Sequence, residues 1–145
     1  VIRAHVAGVL ALVTPLAAAP TSMPVYSSAL DGAEQPPLTG HPDSRWVVVD
    51  FDGLPQDNDR LAGWSANITG LVYVRHFGQT FAEVGWAQEK TRSALLDVRP
   101  VIAGRSVQPL RMYSAQRPSP DRDEPTPLFA AVDVYQLFTA PAVGA

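Results

Sequence analysis

Residues 66–98 change hydrophobic period once, and the change divides a strand from a helix. Ile68, Val72 and Val74 alternate with Thr69, Leu71, Tyr73 and Arg75, the period of two that a strand with one buried face requires. This pattern stops at Gly78. Thr80 then stands where an N-cap belongs, with Glu83 three residues on. The Thr80 hydroxyl can accept from the Glu83 amide while the Glu83 carboxylate reaches back to the Thr80 amide. At about 100° per residue, Phe81, Val84, Ala87, Ala94, Leu95 and Val98 share one side of the helix, and Glu83, Glu89, Lys90, Ser93 and Asp97 the other. Trp86 falls among the charged residues, where a large ring gains nothing from the protein's own core and asks for a partner.

The rest of the chain is read the same way. Ile2, Val6, Leu10 and Val13 lie on one helical stripe, and Thr14 is placed to cap a further short turn with Pro15 at its first position. Val25 and Tyr26 suit a brief strand. Residues 46–51 are almost continuously apolar and β-branched, which predicts a central strand covered on both sides. The polar stretch 54–63, with Pro55, Asp57, Asn58, Asp59 and Gly63, returns the chain, so the two strands form a long hairpin. Beyond the helix, residues 101–107 read as a tight hairpin about Ala103 and Gly104. Residues 107–114 continue as a strand that Pro109 confines to an edge or a bulge. Residues 115–127 hold four Pro and five charged residues, a composition that cannot bury apolar surface and should be mobile. Residues 128–138 alternate again as a last, interior strand, in which Val132 reads as an inward position. The fold class is α+β: a mixed, mainly antiparallel sheet with an amino-terminal helix and one long helix packed on it. Residues 1–145 form a single domain with loops at 31–45, 53–65 and 115–127.

Composition changes this picture mainly by exclusion. A chain of 145 residues with 46% hydrophobic content can bury one domain's core. Net charge is −3, and the basic residues, all Arg but Lys90, are spread from Arg3 to Arg122. A nucleic-acid face would need them concentrated. Absence of Cys excludes disulfides, thiolate metal sites and Cys nucleophiles, and leaves the compartment open. Arg3, the apolar run 7–13 and Ala17-Ala18-Ala19 imitate a secretory signal. A secreted bacterial binding protein with a signal-like segment at 1–19 is therefore an alternative, though Thr14-Pro15 interrupts the run. No stretch reaches the length of a membrane span.

Candidate chemistry is sparse. Asp50-Phe51-Asp52-Gly53 at the end of an apolar strand resembles phosphatases of the haloacid dehalogenase family, in which the first Asp is the nucleophile and the second the acid and base beside magnesium. No helix follows to build a parallel crossover, Lys90 sits on a helix surface, and Asp121, Asp123 and Glu124 lie in a Pro-rich loop. Two carboxylates ending a strand at a turn account for the motif better. His5, His41 and His76 lack metal-ligand spacing, and no nucleophile elbow or phosphate loop occurs. The reading is of a protein with no catalytic residue, no cofactor and no metal.

Several phrases, in order, resemble the tail terminator proteins of long-tailed bacteriophages, the actinobacteriophage type in particular. They are the amino-terminal helix followed by Pro24-Val25-Tyr26, the strand at 46–50, and Gly63-Trp64-Ser65 before Leu71-Val72-Tyr73-Val74-Arg75. The helix with Arg92-Ser93-Ala94-Leu95 before Arg99-Pro100-Val101 follows, and then Asp121-Arg122-Asp123 before residues 127–135. The resemblance implies a non-enzymatic virion protein of the tail and neck, assembled in the host cytoplasm. It implies a ring homo-oligomer, a hexamer, that ends the tail tube, meets the tail tube protein and carries the head-neck connector or stopper protein. DNA would pass through the ring without sequence-specific binding, and no membrane is involved. A head-completion or stopper protein of the neck is the alternative nearest to this. Trp86 and the charged loop residues Asp57, Asp59, Arg60, Arg117, Asp121, Arg122, Asp123 and Glu124 are the expected subunit or tail contacts.

Overall fold

The computed structural model describes residues 2–27, 45–55, 67–120 and 128–142. Helix α1 (Ile2–Val13) runs into a 3-10 turn (Thr14–Ala17), followed by strands β1 (Val25–Tyr26), β2 (Arg45–Pro55) and β3 (Ile68–Gly78) and by helix α2 (Phe81–Leu95). Strands β4 (Arg105–Val107), β5 (Arg111–Ala115), β6 (Ser119–Pro120) and β7 (Phe129–Pro141) complete the order. The sheet runs β1-β2-β3-β7, and β4, β5 and β6 share the far edge of β7, along residues 139–141, 133–136 and 129–130 respectively. Among the described residues only the β1–β2 pairing is parallel. The architecture is α+β, a mixed, mainly antiparallel sheet with both helices on one face.

Alternation along the long strands explains that layering. Val47, Val49 and Phe51 of β2, Ile68, Val72 and Val74 of β3, and Tyr135 and Leu137 of β7 form one core with Val6, Val9 and Val13 of α1 and Ala87 and Leu95 of α2. Each such side chain, fully withdrawn from water, contributes about 1.5–3 kcal/mol. The expected hairpin is a continuous ladder from Arg45↔Gly78 to Pro55↔Ile68. On the opposite face Trp46 stacks on its cross-strand neighbour Phe77 with centroids 5.3 Å apart. Residues 46–49 and Phe51 are therefore buried on both sides.

Several expectations need correcting. Residues 101 and 102 are not a strand: a turn links Ile102 O to the Arg105 N–H at 3.1 Å, with Gly104 at φ 72, and its incoming arm packs on α1 at Gly8. The strand expected over 107–114 is two pieces, β4 and β5, parted at residues 108–110 by Pro109. Leu110 instead exchanges backbone bonds with Asp97 and Val98. Residues 115–120 are not a free loop, since Ala115 ends β5 and β6 pairs Ser119 with Ala130. Arg45 and residues 53–55, expected in loops, belong to β2. Thr14 does not cap the turn; its hydroxyl donates to Leu10 O at 2.7 Å. Helix α2 ends at Leu95, short of Val98, and Phe81 is exposed. Most consequentially, Val132 faces away from the helices. The inward residues of β7 are Ala131, Asp133, Tyr135, Leu137 and Thr139.

Candidate functional site

Helix α2 begins as its sequence indicates. Thr80 Oγ1 accepts from the Glu83 N–H at 3.2 Å, but the Glu83 carboxylate reaches one residue beyond the expected partner, to the Gln79 N–H at 3.0 Å. This fixes the rotation of the helix, which turns Gln88, Thr91 and Arg92 toward the sheet along with Val84, Ala87 and Leu95.

A polar network fills the space beneath. Asp133, fully buried on β7, accepts from Arg92 Nε at Oδ2 and from Arg92 Nη2 at Oδ1, both at 2.8 Å, and from Gln88 Nε2 at 3.1 Å. Gln88 Nε2 also lies 2.8 Å from Gln116 O, tying α2 to the segment after β5. His76 on β3 sits beside it, with Nδ1 3.2 Å from Ala131 O and Nε2 2.6 Å from Thr91 Oγ1. A neutral ring that donates from Nδ1 and accepts at Nε2 satisfies both atoms. Burial pushes His76 down from 6.5 to about 4, against the opposing pull of Asp133. The hydrogen bond to Asp133 raises Arg92, and burial raises the Tyr135 phenol. Perturbed groups can mark catalysis, but here each shift has a partner or burial as its cause. Asp133 has its carboxylate saturated by a guanidinium fork and an amide, which is the chemistry of a buried brace.

A second buried group joins α1 to the strand ends. His5 stacks on Phe51 at 5.3 Å and its Nε2 lies 2.8 Å from Thr139 Oγ1, which also accepts from Arg105 Nε at 2.9 Å. Burial lowers Arg105. Thus His5 and His76, remote from each other in sequence, are each held in a core contact. Among the described residues no cluster of three or more His, Cys, Asp or Glu could hold a metal, and His41 lies outside them.

The helix-free face carries a cavity of about 500 Å³ lined by Asp50, Tyr73, Arg75, Ser114, Gln116, Val132 and Val134. Val132 and Val134 of β7 lie between Tyr73 and Arg75 of β3 on one side and Ser114 of β5 and the following Gln116 on the other. Asp50 accepts from the Arg75 guanidinium across it. Because β2 is antiparallel to β3 and parallel only to the two-residue β1, the phosphatase-like Asp50 and Asp52 do not end a strand of a parallel crossover sheet, and that alternative fails on topology.

Of the residues singled out from sequence, Trp86 and Arg117 are described. Trp86 is half-buried, leans on the core, and has the Arg45 guanidinium 3.6 Å from its ring centroid and Lys90 Nζ at 5.7 Å. The expectation that it gains nothing from its own core is thus corrected: the helix rotation brings one edge of the ring inward, and the start of β2 supplies a cation to its face. Arg117 is exposed between β5 and β6. Asp57, Asp59, Arg60, Asp121, Arg122, Asp123 and Glu124 lie outside the described residues. Asp133, Arg92, Gln88, Thr91 and His76 were not among the expected functional residues. Their signal was present as polar residues three and four apart on the inward side of α2 and as an acid within an apolar strand.

No helix among the described residues is long and apolar enough to cross a membrane. The sequence matches no protein-family model and no curated protein. The structure is similar to a chain in the virion of a native gene transfer agent particle, with a TM-score of 0.57 and 16% sequence identity, over 90% of this chain and 83% of that one. At that identity the likeness is one of fold.

Proposed function

We propose that the chain is a structural subunit of a phage-like virion, and that its place is the tail terminator: a six-fold ring that closes the tail tube and receives the head-neck connector. The observation that carries this reading is the fold likeness to a chain of a gene transfer agent virion over 90% of the present chain. The ordered sequence phrases that resemble those of tail terminators support the finer placement. In this role the subunit performs no chemistry. It binds copies of itself, the tail tube protein below and the connector above, with DNA passing through the ring, in a particle assembled in the host cytoplasm. Trp86, Arg117 and the charged residues Asp57, Asp59, Arg60, Asp121, Arg122, Asp123 and Glu124 are its contacts in this reading. Individually weak charged contacts become effective by repetition around a ring.

The test is particle size by light scattering and negative-stain imaging of the purified protein, with and without tail tube protein. Rings that cap tubes are expected. Rings that bind connector but ignore tubes would move the subunit to the stopper position, and a protein that stays monomeric with both partners would end the virion reading.

A further inference from the structure

The cavity on the helix-free face has valines at its centre and hydrogen-bond donors on both sides. Two adjacent cross-strand rows build it. In one, Arg75 of β3 stands opposite Val132 of β7, and Val132 is bonded on its other side to Gln116. In the next, Tyr73 stands opposite Val134, which pairs with Ser114 of β5. The outer members of each row are two strand spacings apart, about 9.5 Å, so their side chains flank Val132 and Val134, of which Val134 is buried and Val132 half-buried.

The hydrogen-bonding capacity of this lining is one-sided. Gln116 Oε1 accepts from the Val132 N–H at 3.1 Å, which leaves Nε2, a donor, as the amide group with no partner among the described residues. The Tyr73 and Ser114 hydroxyls have none there either. Arg75 gives one N–H of Nη2 to Asp50 and keeps its other donors, with its side chain 46% exposed. Asp50, the one carboxylate of the lining, is thus already engaged, and it cancels the charge of Arg75. A track for nucleic-acid phosphates needs concentrated, uncompensated cations. A carboxylate only accepts, and its two oxygens match the flat guanidinium fork, so it fits this set of donors.

We propose that this cavity receives a carboxylate side chain of the next copy in the ring, held between Arg75 and Gln116 with the Tyr73 and Ser114 hydroxyls beside it. This rests on the ring reading above and names one of its contacts. The methylene stem of the entering side chain packs on Val132 and Val134. A volume of about 500 Å³ admits that side chain with its flanking backbone. A free small molecule is held with most of its surface withdrawn from water, whereas Arg75, Ser114 and Gln116 are exposed and present the site outward to a macromolecule. Each copy brings such groups, with 14 Asp and Glu against 11 Lys and Arg. An acid of one copy in the cavity of the next is a head-to-tail contact, the kind that closes into a ring when its rotation permits.

The test pairs a titration with an assembly measurement on the full-length protein. In NMR titrations under monomeric conditions, N-acetylglutamate α-amide should shift the Gln116 side-chain amide and Arg75 guanidinium signals saturably, and its neutral isostere N-acetylglutamine α-amide should not. Gln116→Glu keeps an oxygen to accept from the Val132 N–H but replaces the free donor with a like charge. It should abolish that binding and weaken ring assembly in sedimentation by about tenfold at low salt, with thermal unfolding unchanged. Tyr73→Phe removes one hydroxyl and should weaken the binding by about three- to tenfold. No binding, equal binding of the neutral isostere, or tighter binding of inorganic phosphate would overturn the carboxylate site. Binding as expected with Gln116→Glu rings that form normally would overturn the next copy as its occupant and leave the ring reading standing. A wild-type protein that never assembles would overturn both.

Discussion

Arg92 grips Asp133 with two parallel N–H donors, Nε to Oδ2 and Nη2 to Oδ1, each at 2.8 Å, across the seam between α2 and β7. The Asp133 side chain is wholly buried while that of Arg92 is 37% exposed, so the two partners stand unequally toward water. Removing the cation leaves a charge stranded in the interior. Arg92→Leu is expected to destabilise the fold by about 3–5 kcal/mol, whereas replacing both, Arg92→Leu with Asp133→Leu, should cost far less. Urea unfolding of the two variants checks this; equal losses would mean that packing, not the stranded carboxylate, sets the cost.

His76 gives the stability a defined acid limb. Its folded value is about 4 against an ordinary 6.5, so below 6.5 the unfolded chain takes up a proton that the folded chain refuses. Stability from this group is intact above about 6.5, falls as pH drops, and is fully lost below about 4, with a total on the order of 3 kcal/mol. In His76→Gln the part of the pH profile between those values should flatten. The check is the urea midpoint of both proteins as a function of pH.

Two helical glycines should respond oppositely to Ala. A Cβ on Gly8 would stand 2.9 Å from Ile102 Cγ1 and 3.0 Å from Val101 O, whereas one on Gly85 meets nothing within 4 Å. Gly85→Ala should raise stability by up to about 1 kcal/mol through helix propensity. Gly8→Ala should lower it by about 1–2 kcal/mol, because the turn backbone at Val101 has to move. Thermal melts distinguish the two directly.

Trp86 serves two partners in the proposed ring. Losing its edge contact with the core and the overlying Arg45 should cost the monomer about 1–2 kcal/mol, and losing a central aromatic at a subunit contact should weaken assembly by a further 2 kcal/mol or about that. Trp86→Ala measured by melting under monomeric conditions and by sedimentation separates the two. A normal ring with a less stable monomer would confine Trp86 to the fold.

The long elements were legible because a single period governs each: β3, β7 and the start of α2 follow from alternation and from Thr80 with Glu83. What misled was β7's parity. Both alternating sets of β7 are largely apolar, and the acid in one set made the other seem the inward one. Asp133 is nevertheless inside because Arg92 and Gln88 arrive from a helix forty residues earlier, a pairing that no local pattern contains. The division of 107–114 into two strands turned on Leu110, whose backbone is engaged by Asp97 and Val98 rather than by a strand. The buried brace was visible only as residue types. That His76 stands opposite Ala131, beside Asp133, depends on β3 and β7 being in register, which is a property of the assembled sheet.

The position of β7 has a bearing on how the molecule is built in time. Among the described residues it is the last strand in chain order, yet β3, β4, β5 and β6 all pair with it. Before it is made, a nascent chain can join β1, β2, β3 and the helices, but three short strands have nothing to lie against, and the inner edge of β3 is bare. The decisive step in folding is thus the closure of distant segments, with Ile68 meeting Thr139, a topology that slows the search and lengthens exposure of apolar edges. Subunits released early would carry a naked β3, the strand edge best suited to capture the wrong neighbour.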